Sequence, residues 1–193
     1  DGVEIHAGNG YLIDKFLRTT SNHRQDAYGA SRENRLRFLM EVTSAVAEQI
    51  GAARVGVRLA PFITARNMAC PDIIATIVQA AALLGEAGIG YVHLSEADWD
   101  DAPQIPDDFR QQLRAAFNGA IIVAGRYTPE RGEALLQQGL ADLIAFGRSF
   151  IANPDLPERL ARQAPLADFD GKRLFGGDAR GYSDYPKLGT ARY

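Results

Sequence analysis

The chain has 193 residues, 46% of them hydrophobic, and a formal net charge of -3 from 21 basic and 24 acidic side chains. That length supports one domain with a sizeable core, and charge spread this evenly excludes a basic nucleic-acid surface or an acidic solvating tail. A single cysteine, Cys70, excludes an internal disulfide and a cysteine-based metal site, and no apolar run reaches the ~20 residues of a membrane helix; a cytoplasmic protein with neither membrane nor nucleic-acid partner is expected.

In chain order, the first predicted strand is "VEIH" at Val3–His6. A helical pattern follows in "SRENRLRFLMEVTSAVAEQIG", with Ser31 as N-cap and Gly51 as stop. The strand "RVGVRLA" at Arg54–Ala60 precedes the helix "PDIIATIVQAAALLGEAG", which places Pro71 in its first turn and ends near Gly88. Strand Gly90–Ser95 leads to the helix "PDDFRQQLRAAFNG", strand Ala120–Gly125 to "TPERGEALLQQG", and strand Asp142–Gly147 to "NPDLPERLARQ", capped by Asn153. A loop-rich tail follows from about residue 165.

Five strand–helix repeats whose strands read as apolar on both faces imply a parallel sheet covered by helices, either open or closed into a barrel. A nucleotide-binding open sheet carries G-x-G-x-x-G between its first strand and helix. Here "GEAGIGY" closes a helix and enters a strand instead. The expected fold is therefore an α/β barrel.

Three features carry chemistry. In "HAGNGY", His6 ends a strand and Asn9 and Tyr11 follow where the chain turns at Gly8 and Gly10. An imidazole and an amide can both donate to one carbonyl oxygen and stabilise charge there, and a nearby phenol can deliver a proton. The same residues also suit a strand-end histidine satisfied by backbone, a turn asparagine and a packed tyrosine. Arg58, within a buried strand, needs an anionic partner, either a core carboxylate such as Glu4 or Glu96 or a bound anion. Finally, "VAGRYTPE" and "AFGRSFIANPDL" each run strand, Gly-Arg, helix, so that Gly125, Arg126, Gly147 and Arg148 suit a phosphate at a barrel rim better than two chance surface arginines.

The run "DGVEIHAGNGYLIDKFLRTTSNHRQDAYGASRENRLRFLMEV", with "FGRSFIANPDL" and "GYSDYP", resembles the old yellow enzyme family of FMN-dependent ene-reductases over essentially the whole chain, and within it the bacterial N-ethylmaleimide and nitrate-ester (xenobiotic) reductases. The resemblance implies a (β/α)8 TIM barrel of which Val3–His6 is the fourth strand, so that residues 1–193 form the C-terminal portion of one FMN-binding domain and supply its last five βα units. Completion by another polypeptide, or by a segment outside this sequence, is expected. It also implies roles. His6 and Asn9 would hold the substrate oxygen, with His6 lying against FMN. Tyr11 would donate the proton, Arg58 would face the N1/C2=O edge of FMN, and Gly125, Arg126, Gly147 and Arg148 would hold its phosphate. NAD(P)H would be the hydride donor, and activated alkenes such as enones and maleimides, with nitro or nitrate-ester compounds, the substrates. No metal is implied.

Two departures from the family pattern stand out. Gly29-Ala30-Ser31 replaces Gly-Gly-Ser, a minor change while residue 30 keeps a negative φ. Phe175 stands where a substrate-side tyrosine is usual, and Trp99 is a candidate lining residue of the substrate entrance or an ordinary loop aromatic. A non-catalytic barrel fragment, or a cofactor-free lyase or isomerase binding a sugar phosphate, are the competing readings.

Overall fold

Five short strands supply the frame: β1 (Val3–Ala7), β2 (Val55–Leu59), β3 (Tyr91–Ser95), β4 (Ala120–Ala124) and β5 (Leu143–Ala145). The computed structural model describes residues 1–98, 101–175 and 178–189. The strands lie side by side in the order β1-β2-β3-β4-β5, and every neighbouring pair is parallel. A doubly wound sheet reverses its order at a switch point. Unbroken order adds each strand at the same edge, and right-handed crossovers then place every connecting helix on one face. The result is a sector of a (β/α)8 barrel wall.

The helices are α1 (Leu12–Leu17), α2 (Arg32–Ile50), α3 (Ile73–Glu86), α4 (Asp107–Ala116), α5 (Pro129–Gln137), α6 (Arg148–Ala152) and α7 (Leu156–Ala161). All strands and α1–α5 belong to one compact unit, Asp1–Ala145; Phe146–Tyr193 form a second. In the first unit the core lies between sheet and helices. Val57, Leu59, Val92, Leu94, Ile121 and Val123 present one strand face, and Leu36, Leu39, Ile77, Leu84, Phe109 and Leu113 meet it from α2, α3 and α4. Alternation along each strand sends the remaining side chains to the opposite, inner face. That face is not apolar as expected: it carries Glu4, His6, Arg58, Tyr91, His93 and Ser95, in register across three strands.

Local chemistry sets the helix ends. Ser31 Oγ accepts from the Asn34 amide at 3.1 Å to start α2, and Gly51, at φ 88°, closes it by donating to the Ala47 carbonyl at 2.8 Å. Thr128 caps α5 in the same way, accepting from Arg131 N at 3.3 Å, with Pro129 as the first helical residue. Three expectations change. Pro71 precedes the N-cap of α3, Asp72, rather than lying in its first turn. The final helical stretch is two short helices, and Asp155, not Asn153, stands at the N-cap of α7. Asn153 is fully buried between them, donating to the carbonyls of Ser149 and Ala167 and accepting from Ala167 N. Ala30 takes φ 61°, a left-handed conformation, so the condition that made its replacement of glycine minor is not met.

Candidate active site

The inner face is layered by strand register. Glu4, Gly56, Tyr91 and Ala120 are Cα partners in one row; His6, Arg58, His93, Ile122 and Leu143 form the next row towards the C-terminal strand ends. Adjacent strands stand about 4.8 Å apart, so His6, Arg58 and His93 are immediate neighbours contributed by three different strands.

The row below them is braced. Gly56 has no side chain because the Tyr91 ring occupies that space: a Cβ there would lie 2.0 Å from the ring. Tyr91 hydrogen-bonds Glu4, and His93 Nδ1 lies 2.8 Å from Glu4 Oε2. Burial alone would raise the Glu4 carboxyl, but the His93 hydrogen bond and charge, with that of Arg58, outweigh it and hold Glu4 below the usual carboxylate range.

Arg58 is half-buried, and neither carboxylate considered for it is its ion-pair partner. Glu4 is engaged by His93. Glu96 takes Arg110 through two contacts of 2.7 and 3.0 Å and the Tyr127 hydroxyl at 2.6 Å; burial and that carboxylate push the Tyr127 phenol upward. Among the described residues, Arg58 Nη2 reaches Ser95 Oγ, at 3.4 Å, while Arg58 Nε and His93 Nε2 are buried without a hydrogen-bond partner. Buried polar atoms without a partner are uncommon, and these two mark the wall as a candidate surface for a polar ligand.

At the rim, the chain leaves β1 through a tight turn. Asn9 and Gly10 both have positive φ, 56° and 78°, and Tyr11 N donates to the Gly8 carbonyl at 3.2 Å. Tyr11 stands at the N-cap of α1, 59% exposed, with its ring centroid 5.0 Å from that of His6. Asn9 Oδ1 is buried without a partner. What burial His6 has, joined by the Arg58 charge, pulls its imidazole below the usual value, so at neutral pH it is uncharged. The structure thus brings His6, Arg58 and Tyr11 together. Sequence reasoning missed Asp14, buried on α1 just behind the turn, and Arg18, buried at its C-cap; their signal was an i,i+4 charge pair, which on a helix usually marks a solvated face.

The two Gly-Arg motifs are not geometrically matched. Gly125 and Arg126 lie in the first unit, and α5 begins only at Pro129. Gly125 is exposed, and a Cβ there would approach the Tyr127 ring at 3.3 Å. Gly147 and Arg148 lie in the second unit, where Gly147 directly precedes the single turn of α6 and has no atom within 4 Å of a notional Cβ. Phe175, also in the second unit, is 81% exposed. Trp99 falls outside the described residues. Among the described residues, no cluster of His, Cys, Asp or Glu could hold a metal ion, and no helix is long and apolar enough to cross a membrane.

Comparison with known proteins gives a consistent result. Residues 1–167 match the NADH:flavin oxidoreductase / NADH oxidase family. The chain is 40% identical to 12-oxophytodienoate reductase 2 of Arabidopsis thaliana and 41% identical to 12-oxophytodienoate reductase 1 of Oryza sativa subsp. japonica, in each case over 97% of its own length and over 51% and 50% of theirs. It therefore spans about half the length of these curated relatives. Among solved structures, morphinone reductase superposes with a TM-score of 0.93 at 44% identity, and the old yellow enzyme homologue from Zymomonas mobilis with 0.91 at 37%; each covers 97% of this chain, which spans 50% and 54% of theirs. A neighbouring structure shows morphinone reductase in complex with tetrahydroNAD. The chain belongs to the NADH:flavin oxidoreductase / NADH oxidase family, that of the old yellow enzymes.

Proposed function

We propose that this chain carries the substrate-activating side of an FMN-dependent, NAD(P)H-driven ene-reductase. The observation that carries the reading is the row His6–Arg58–His93, with Arg58 Nε and His93 Nε2 buried and unpartnered and the Tyr11 ring beside His6. The orphaned Arg58 Nε fits a flavin: it is an unused donor for the N1/C2=O edge of FMN, and both carboxylates that could have neutralised Arg58 are engaged elsewhere. Gly125 with Arg126 in the first unit, and Gly147 with Arg148 in the second, are each a candidate for holding the phosphate. Completion of the barrel by its remaining βα units, on the same or another polypeptide, belongs to this reading.

FMN held against Arg58 would supply hydride chemistry for an activated alkene, with NAD(P)H as the source of reducing equivalents. This chain's residues do the rest. Neutral His6 and Asn9 donate to the substrate carbonyl oxygen, where negative charge grows as the alkene is reduced, so their hydrogen bonds strengthen most in the transition state. Tyr11 delivers a proton to the α-carbon. Enones and maleimides fit this donor set, as do nitro and nitrate-ester oxygens; Phe175, a candidate for the substrate side on the family resemblance, offers no hydroxyl, and Trp99 stays a candidate from the sequence alone. Relatives named for reduction of 12-oxophytodienoate and morphinone, both carbonyl compounds, support a carbonyl-bearing substrate.

Tyr11→Phe tests the assignment. Flavin reduction by NAD(P)H should stay near that of the parent, while the alkene half-reaction slows by about 10²–10⁴-fold, the usual worth of general-acid assistance. An unchanged alkene half-reaction, followed by stopped-flow flavin reoxidation, would remove Tyr11 from the proton path.

A further inference from the structure

We infer that Asp14 and Arg18 are positioning residues: their buried ion pair clamps the Asn9–Tyr11 turn to the loop that follows β2 and thereby sets the aim of Asn9 and Tyr11. The inference rests on the roles proposed above for those two side chains.

Asp14 and Arg18 are 0% and 2% exposed. Such a pair is an expensive choice, since an apolar pair of similar volume often serves stability equally well. Burial indeed pushes the Asp14 carboxyl above its usual value, in spite of the neighbouring Arg18. What the two side chains do with their polar atoms is more informative. Asp14 Oδ2 accepts from Gly10 N at 2.8 Å, and Oδ1 accepts from Arg18 Nε at 3.0 Å. The two terminal nitrogens of Arg18 donate to the Ala60 carbonyl at 2.7 Å and to the Met68 carbonyl. Among the described residues, each hydrogen bond the pair makes outside itself ends on backbone: one on the turn after β1, two on the segment after β2.

Asn9 and Gly10 are consecutive left-handed residues, of the two types that enter that region most readily, so the sequence permits the turn and its contacts fix where it lies. Gly8 sits so close to the second loop that a Cβ would lie 3.1 Å from both Ala60 N and Ala60 Cβ. Turn and loop therefore meet at Ala60, and Arg18 grips the carbonyl of that same residue. The clamp spans the gap between the turn after β1, which carries Asn9 and Tyr11, and the segment after β2, the strand that carries Arg58.

The test compares Asp14→Asn with Asp14→Ala in the flavin-loaded enzyme. Both leave Arg18 without its counter-charge, and both should lower the thermal unfolding midpoint. Only asparagine keeps an oxygen for Gly10 N. The probe is 4-nitrophenolate, an oxyanion for the His6/Asn9 donors whose own visible band reports binding without turnover. Asp14→Ala should weaken its Kd about tenfold, while Asp14→Asn should stay within about threefold of the parent. Losses that are equal in the two variants and follow the unfolding midpoint would show a merely structural pair and overturn the inference. Should either variant fail to fold, hydrogen exchange of the Gly10 amide in the unsubstituted protein decides. The clamp requires strong protection in this rim turn, and exchange at the unprotected rate refutes it. A parent that does not bind the phenolate would count against the oxyanion role of Asn9, while Gly10 protection still reads the clamp separately.

Discussion

Arg58→Met separates a ligand-binding cation from a structural one. Methionine keeps most of the apolar stem and deletes the guanidinium. In the flavin-free protein that guanidinium has one long contact to Ser95 and a buried Nε with no partner. An unsatisfied buried donor costs about 1–3 kcal/mol, and because Arg58 is only half-buried the lower end applies. The flavin-free variant should therefore be more stable by about 1 kcal/mol, a rise of roughly 2–4 °C in unfolding midpoint for a domain of this size. The same change should remove a charge-assisted hydrogen bond to FMN worth about 1.5–3 kcal/mol, weakening its Kd by about 10–150-fold in a fluorescence-quenching titration. A third readout follows from charge. Arg58 helps hold both His6 and Glu4 below their ordinary values, so NMR titration of His6 should move upward in the variant. A less stable flavin-free variant with unchanged FMN affinity would show that Arg58 is a core cation, and the argument from its orphaned donor would fall.

Ala30→Gly should stabilise the protein by about 0.5–1 kcal/mol in chemical denaturation, because relief of the left-handed strain at Ala30 exceeds the added freedom of the unfolded chain; a loss of stability would mean that the residue 30 methyl packs productively. Arg148→Ala should weaken FMN by about 10–150-fold yet leave riboflavin, which has no phosphate, bound as in the parent; equal weakening of both would assign Arg148 a structural role. Glu4 has a folded-state value below its unfolded one, so its contribution to stability is present above about pH 4.3 and is lost as acid carries the pH down through the folded value. His93→Gln should shrink that loss, giving a flatter acid limb in urea midpoints measured from pH 6 to pH 3; an unchanged limb would mean His93 does not hold Glu4 down.

The parts of the fold legible in the sequence were those marked by several signals at once. Ser31, nineteen helical residues and Gly51 announce α2 in composition, period and caps together, and the β-branched runs announce β2 and β4. What stayed hidden depends on direction. "VEIH" and "RVGVRLA" read as apolar runs, yet Glu4, His6 and Arg58 fall on alternate positions and so share the inner face, a fact set by the sheet rather than by either segment. That neither Glu4 nor Glu96 pairs with Arg58 was beyond reach for the same reason: only the positions of His93 and Arg110 show that both carboxylates are engaged. The six-residue α1 is too short to show a period, and its Asp14–Arg18 spacing looks like a surface pair until tertiary packing buries it. Matching Gly-Arg strings likewise concealed different distances to the following helix, because a string does not show where a strand stops.

The ring of Tyr91 occupying the place of a side chain at Gly56 makes these two positions a single unit of evolutionary change. A descendant that acquires even a methyl group at position 56 must surrender the aromatic ring at position 91, and one that shrinks position 91 opens a void that a larger residue at 56 can fill. Loss of the phenol would also strip Glu4 of one hydrogen-bond donor and leave it to His93 and the charge of Arg58. The two positions should therefore covary across the family as glycine with a large aromatic or as a larger residue with a small one, and mixed pairs should be rare.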